Sequence, residues 1–138
     1  MSRPTPVLRR PELLPFSNQG NDLNPSVATD ETFIVFCSSS RGGSGGSDLF
    51  VSFHRPDGSW AEPRNLGSSI NSNSSESATG LSPDNRTLYF ASDRIDGPLT
   101  RTRRVDYHQL EDELHAIQNG QSNIYEVDIS DLHSLDAP

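Results

Sequence analysis

The stretch TFIVFCSSSR, residues 32–41, can be laid over RTLYFASDR, residues 86–94, and the comparison decides the fold. Ile34 meets Leu88, Val35 meets Tyr89, Phe36 meets Phe90, Cys37 meets Ala91 and Ser38 meets Ser92. Upstream, Asp30 meets Asp84 and Asp22 meets Glu76. Downstream, SDLFVS (47–52) meets SNIYEV (122–127) after a longer loop in the second copy. Self-similarity at a fixed period marks a repeat architecture, in which one supersecondary unit recurs and neighbouring units share a core.

Each copy reads as short strands separated by turn chemistry. In the first, an inner strand over about Ser26–Ala28 turns through Thr29-Asp30-Glu31 into Phe33–Ser38. Leu49–Phe53 follows, and then Pro56-Asp57-Gly58 leads to an outer strand over Trp60–Leu66; Asp-Gly between β-prone runs is a strong hairpin signal. In the second copy the inner turn is Ser82-Pro83-Asp84-Asn85, where Pro suits the second position of a type I turn and Asn tolerates the left-handed region. The Gly-Ser run GGSGG, residues 42–46, opens straight into Leu49-Phe50-Val51, so it reads as a tight loop inside a unit rather than a tether between domains.

Four short antiparallel strands repeated at a fixed period describe a β-propeller blade. The expected fold is therefore all-β, with four-stranded antiparallel blades, about two per chain, and one helical insertion. Residues 1–22 form an N-terminal segment, 23–71 the first blade and 72–138 the second, with the insertion at 95–121. The second copy stops after its third strand, near Ile129. The N-terminal PVLRRPELLPF resembles the missing outer strand, with Glu12 and Leu13 as counterparts of Glu62 and Leu66. Two blades do not close a ring, since propellers use about 4–8. Either head-to-tail copies complete one another's last blade, or the sequence is a piece of a longer propeller.

LSPDNRTLYFASDR, GGSDLFVSFHRPDGSWAEPRNLGSSIN and SNIYEVDIS resemble the Pro-Asp type of WD-like β-propeller repeat found in TolB-like and related bacterial envelope proteins. The resemblance spans residues 22–130. It departs from the pattern at Thr29-Asp30-Glu31, which replaces Ser-Pro-Asp, and in the insertion between Arg94 and Gln121. It implies a propeller module that recognises a protein or glycan of the cell envelope, periplasmic or extracellular if a leader has been removed. The alternatives it leaves open are a carbohydrate-binding oligomer and part of a propeller hydrolase or lyase.

Composition limits the partners. The formal net charge is −8, and the one basic cluster, Arg101, Arg103 and Arg104, runs into an acidic segment, so nucleic acid is not an expected partner. No run approaches the roughly 20 apolar residues of a membrane helix, and the first 15 residues lack the apolar stretch of a signal peptide. The single cysteine, Cys37, sits in an apolar run and reads as a small buried hydrophobe.

Ligand contacts are expected where the two copies place charge at one rim: Asp22 with Arg41, Glu76 with Arg94, and beside them Asp48 and Asp93 with Ser40 and Ser92. Recurrence of the carboxylate and guanidinium in both copies favours a structural clamp over a ligand site. The insertion DYHQLEDELHAIQNG places Leu110, Leu114 and Ile117 at helical spacing, an apolar stripe that packs on a blade or on a partner protein. His108, Glu111, Asp112 and His115 lie on that helix without the spacing of a zinc protease, and no metal or cofactor is expected. No catalytic residue is assigned, because Gly-x-Ser-x-Gly is absent and GGSGG lacks the Gly-Lys-Ser/Thr ending of a phosphate loop. Trp60, Tyr89 and Tyr125 are read as packing between blades, His54 as a surface hairpin residue and His133 as part of a frayed tail.

Overall fold

The computed structural model describes residues 3–5, 7–17, 20–43, 45–95 and 121–136. Two antiparallel sheets account for nearly all its regular structure. The first runs β1 (Asp22–Val27), β2 (Phe33–Ser38), β3 (Asp48–Phe53) and β4 (Arg64–Asn65), in that spatial order. The second runs β5 (Glu76–Leu81), β6 (Thr87–Ser92) and β7 (Asn123–Asp128), and a short 3-10 helix follows at Leu132–Asp136.

The registers of the two sheets repeat. Asp22 faces Ser38 and Ser38 faces Asp48 in the first; Glu76 faces Ser92 and Ser92 faces Asn123 in the second. Even an irregularity recurs. The ladder between β1 and β2 slips between Leu23 and Ser26, and that between β5 and β6 slips between Ser77 and Gly80. At these bulges Asn24 and Ala78 adopt left-handed φ of 52° each. A bulge interrupts pairing and bends the strand, which is why Pro25 is tolerated there on a strand with only one paired neighbour in its sheet. The expected inner strand over Ser26–Ala28 thus starts too late, because a proline and a slipped register hide the alternation that marks a strand.

Ala78 has a Cβ that clashes with the backbone in this region, whereas glycine does not. Ala78→Gly is expected to raise stability by about 0.5 kcal/mol, the relief of strain exceeding the extra entropy of an unfolded glycine. Urea unfolding measures it, and a loss of stability would mean that the bulge is not left-handed.

Alternation along β2 and β3 puts Phe33, Val35, Cys37, Leu49, Val51 and Phe53 on one face, and Ile34, Phe36 and Phe50 on the other. Both faces are buried. The first joins Leu88 and Phe90 of β6 with Ile129 and Leu132 in the main core, so the second sheet lies against it. The second is covered by Phe16 and Leu14 of the N-terminal segment and by Trp60. Cys37 is buried as expected. Hydrogen bonds also join the sheets: Thr79 Oγ1 donates to the carbonyl of Asn24 at 2.6 Å, and Thr29 N donates to Asn85 Oδ1 at 3.0 Å.

Several local expectations change. The outer strand expected over Trp60–Leu66 pairs as a ladder only at Arg64–Asn65, with a single bridge from Trp60 to His54. Residues 7–14 form no strand. His133 is not in a frayed tail: it belongs to a short helix anchored by buried Leu132, and its ring lies 5.7 Å from that of Phe33 and 5.5 Å from that of Phe53. Leu132 and Leu135, three residues apart, fasten this turn to the core. The helix expected in the insertion, with Leu110, Leu114, Ile117 and the four residues His108, Glu111, Asp112 and His115, lies outside the described residues.

Candidate functional site

The repeated registers bring the rim residues together at one end of the sheets. In the first sheet Arg41 donates from Nε to Asp22 Oδ1 at 2.9 Å and from Nη2 to Oδ2 at 2.7 Å, a bidentate pair with side chains 16% and 9% exposed. The same Nη2 donates to the carbonyl of Phe16, and the guanidinium lies over the rings of Phe16 and Phe36. The Arg41 guanidinium holds the Asp22 carboxyl down to about 2 against the opposing effect of burial, with smaller help from hydrogen bonds with Ser17 and Ser38.

The second sheet builds the same corner differently. Arg94 donates from Nη2 to the carbonyl of Ile70 at 2.7 Å and lies over Phe90 and Tyr125, as Arg41 does over Phe16 and Phe36. It makes no ion pair with Glu76. Ser92 Oγ stands between them, accepting from Arg94 Nε at 3.0 Å and donating to Glu76 Oε2 at 2.9 Å. The longer Glu76 side chain turns into the loop before its own strand, where Ser72 N and Ser72 Oγ also donate to it. Glu76 is fully buried with three donors, so its charge is satisfied internally. The expectation of a direct pair in each copy therefore holds for Asp22 and is corrected for Glu76.

These side chains fasten the loops that form the rim. Asn71, itself buried, accepts from Leu49 N at 2.7 Å and donates to Leu49 O at 3.0 Å, replacing a strand in pairing with β3. Gly46 N donates to Ser74 O, Glu76 N donates to Ser47 O, and Asp93 Oδ1 accepts from Ser75 N. Gly43 has φ 138°, and a Cβ there would stand 1.8 Å from Asp48 Oδ2; one at Gly45 would stand 1.9 Å from the carbonyl of Ser74. Gly45 and Gly46 are thus packed against residues 73–75 and Gly43 against Asp48, approaches that only glycine allows.

Of the sequence-assigned rim candidates, Asp22, Arg41, Glu76 and Arg94 are spent on internal contacts, and Asp48 is buried at 1% exposure beside Asn65. Asp93 ties down a loop and Ser40 Oγ accepts from Asn21 N. The residues exposed at the rim are Ser39 and Ser40, whose hydroxyls accept from Asn21, together with Ser68, Ser69, Asn73 and the described glycines of the loop. Of these, sequence named only Ser40, since serines in turns carry no distinctive pattern.

The aromatic expectations divide. Tyr125 stacks on Phe90 at 5.8 Å between the sheets, as expected. Trp60 packs on Phe16 and stacks on His54 at 4.1 Å, and Tyr89 is 41% exposed on the open face of the second sheet, not packed between sheets. His54 is half-buried by that stack.

The opposite end of the sheets carries a feature that sequence reading missed. Asp30, Asp84 and Asp128 each accept hydrogen bonds from a neighbouring hydroxyl and backbone N–H, which holds their carboxyls below the usual range. Asp30, Asp84, Arg86, Ser130 and His133 line a cleft of about 470 Å³. Among the described residues no group of three or more His, Cys, Asp or Glu is placed to hold a metal ion, and no helix is long and apolar enough to cross a membrane.

No family model, characterised protein or solved structure matches the chain.

Proposed function

We propose that the two sheets are successive blades of a Pro-Asp, WD-like propeller repeat, and that the chain is a non-catalytic binding module for a protein or glycan partner of the cell envelope. The observation that carries this reading is the rim itself. The loop before β3 and residues 67–75 are locked to each other by Gly46, Ser47, Ser74 and Glu76, while Ser39, Ser40, Ser68, Ser69, Asn73 and the described glycines remain exposed. Ser, Gly and Asn on preorganised loops supply hydrogen bonds at little ordering cost, which suits hydroxyl-rich or peptide ligands. Among the described residues no ring is free at this rim to stack on a sugar: Trp60 is held by Phe16 and His54, and Tyr125 by Phe90 and Arg94.

Amide chemical shifts recorded against soluble peptidoglycan fragments and short envelope peptides test the proposal. Saturable shifts centred on Ser39, Ser40, Gly43 and Asn73 are expected. Shifts confined to Asp84, Arg86 and Ser130, or turnover of the added fragments, would place the function in the opposite cleft or in catalysis and overturn this reading.

A further inference from the structure

The internal packing of the two sheets contains a template for a second interface. Arg41 grips the carbonyl of Phe16 as Arg94 grips that of Ile70, so the chain around Phe16 stands to β1–β3 as the chain around Ile70 stands to β5–β7. Ile70 follows β4, the outer strand of the sheet before its own. By the same placement, the residues before Phe16 belong to the outer strand of a sheet preceding β1. They have no such sheet to join among the described residues, and Val7, Leu8 and Leu13 are 84%, 95% and 71% exposed.

The faces agree with this. Leu88 and Phe90 turn toward the first sheet and are buried by it. Their counterparts Ile34 and Phe36 turn the other way and line an apolar groove of about 220 Å³ with Leu13, Leu14, Phe16 and Leu23. In the internal interface, Val35 and Leu49 pack in the core that holds Leu88 and Phe90. Their counterparts by register are Tyr89 and Ile124, which are 41% and 75% exposed. The chain thus presents both a groove and the side chains that fit it, on opposite sides.

The edge and its charge complete the match. No described strand pairs with the outer edge of β7. In the first sheet β4 fills that position, with Arg64 opposite Val51. The same register sets Arg10 opposite Glu126, and places Arg9 and Arg10 along an edge that also carries Asp128 and Asp131.

We infer that a second copy of this chain docks head-to-tail, its residues 8–14 adding a fourth strand to β7 while Tyr89 and Ile124 enter its groove between the N-terminal segment and β2. The N-terminal segment and the second sheet lie on opposite faces of the first sheet, so within one chain they are separated by it. The contact is heterologous, and repeating it gives a ring when the rotation closes. It goes beyond the binding role proposed above, and stands whether or not the rim takes a ligand.

Light scattering on a size-exclusion column, over a concentration series and with circular dichroism to verify folding, tests the inference on the chain as it stands and on exposed-site variants. The intact chain is expected at a multiple of 15.2 kDa. Ile124→Lys and Arg10→Glu are each expected to weaken association at least tenfold while remaining folded, and Arg10→Glu combined with Glu126→Arg is expected to restore it. A folded monomer at 100 μM, or an assembly indifferent to both single substitutions, would overturn it. So would a double variant no better than Arg10→Glu.

Discussion

Leu88→Ala is expected to cost about 3–4 kcal/mol and to lower Tm by roughly 10 °C. The side chain is 0% exposed and comes from the second sheet, yet it sits in the core built mainly by Phe33, Val35, Leu49, Val51 and Phe53 of the first. Removing three carbons there loses their transfer free energy and leaves a cavity that two hydrogen-bonded sheets cannot collapse to fill. Ile95→Ala, at a position 48% exposed, is the comparison, expected within about 0.5 kcal/mol of the parent. Chemical unfolding of both variants decides the matter: equal, small losses would mean that the sheets do not share a core.

The second large effect belongs to the clamp. Arg41→Met is expected to destabilise the chain by roughly 3 kcal/mol at neutral pH, because the Asp22 carboxylate, 9% exposed, loses its bidentate partner and the Phe16 carbonyl loses a donor. The pH dependence separates charge from packing. Asp22 titrates at about 2 in the folded chain against 3.8 as its ordinary value. The folded value is the lower one, so the pair's contribution is complete above about pH 4 and is lost as pH falls toward about 2. The shift corresponds to about 2.5 kcal/mol. The gap between parent and variant is therefore expected to narrow to the packing loss alone near pH 2. A gap unchanged between pH 7 and pH 2 would show that Arg41 acts through stacking on Phe16 and Phe36, not through Asp22.

Much of the fold is legible because strands buried on both faces read as continuous apolar runs. Phe33–Ser38 and Leu49–Phe53 stand out for that reason, and their recurrence at Thr87–Ser92 and Asn123–Asp128 located the second sheet. β1 reads short because Pro25 and the slipped register at Asn24 break the alternation there; at the matching bulge of β5, Ala78 carries no signal for a positive φ. The helix at Leu132–Asp136 was missed because one turn gives no period to detect. At the rim, sequence placed Asp22, Arg41, Glu76 and Arg94 at the same end. It did not distinguish the direct Asp22 pair from the Ser92-bridged corner at Glu76, where a single additional methylene redirects the carboxylate into the Ser72 loop. Tyr89, expected to pack between blades, lies on the face opposite Leu88 and Phe90, where alternation along β6 puts it.

Two repeats of one unit pack with like order, the Leu88 and Phe90 face of the second against the Val35, Leu49 and Val51 face of the first. Methyl-to-methyl nuclear Overhauser measurements on a chain labelled at Ile, Leu and Val test this packing. Cross-peaks linking Leu88 and Ile129 to Val35, Leu49 and Val51 are predicted. Cross-peaks from Leu88 that stay within its own sheet, with Val35 and Val51 meeting no residue beyond position 75, would contradict the account.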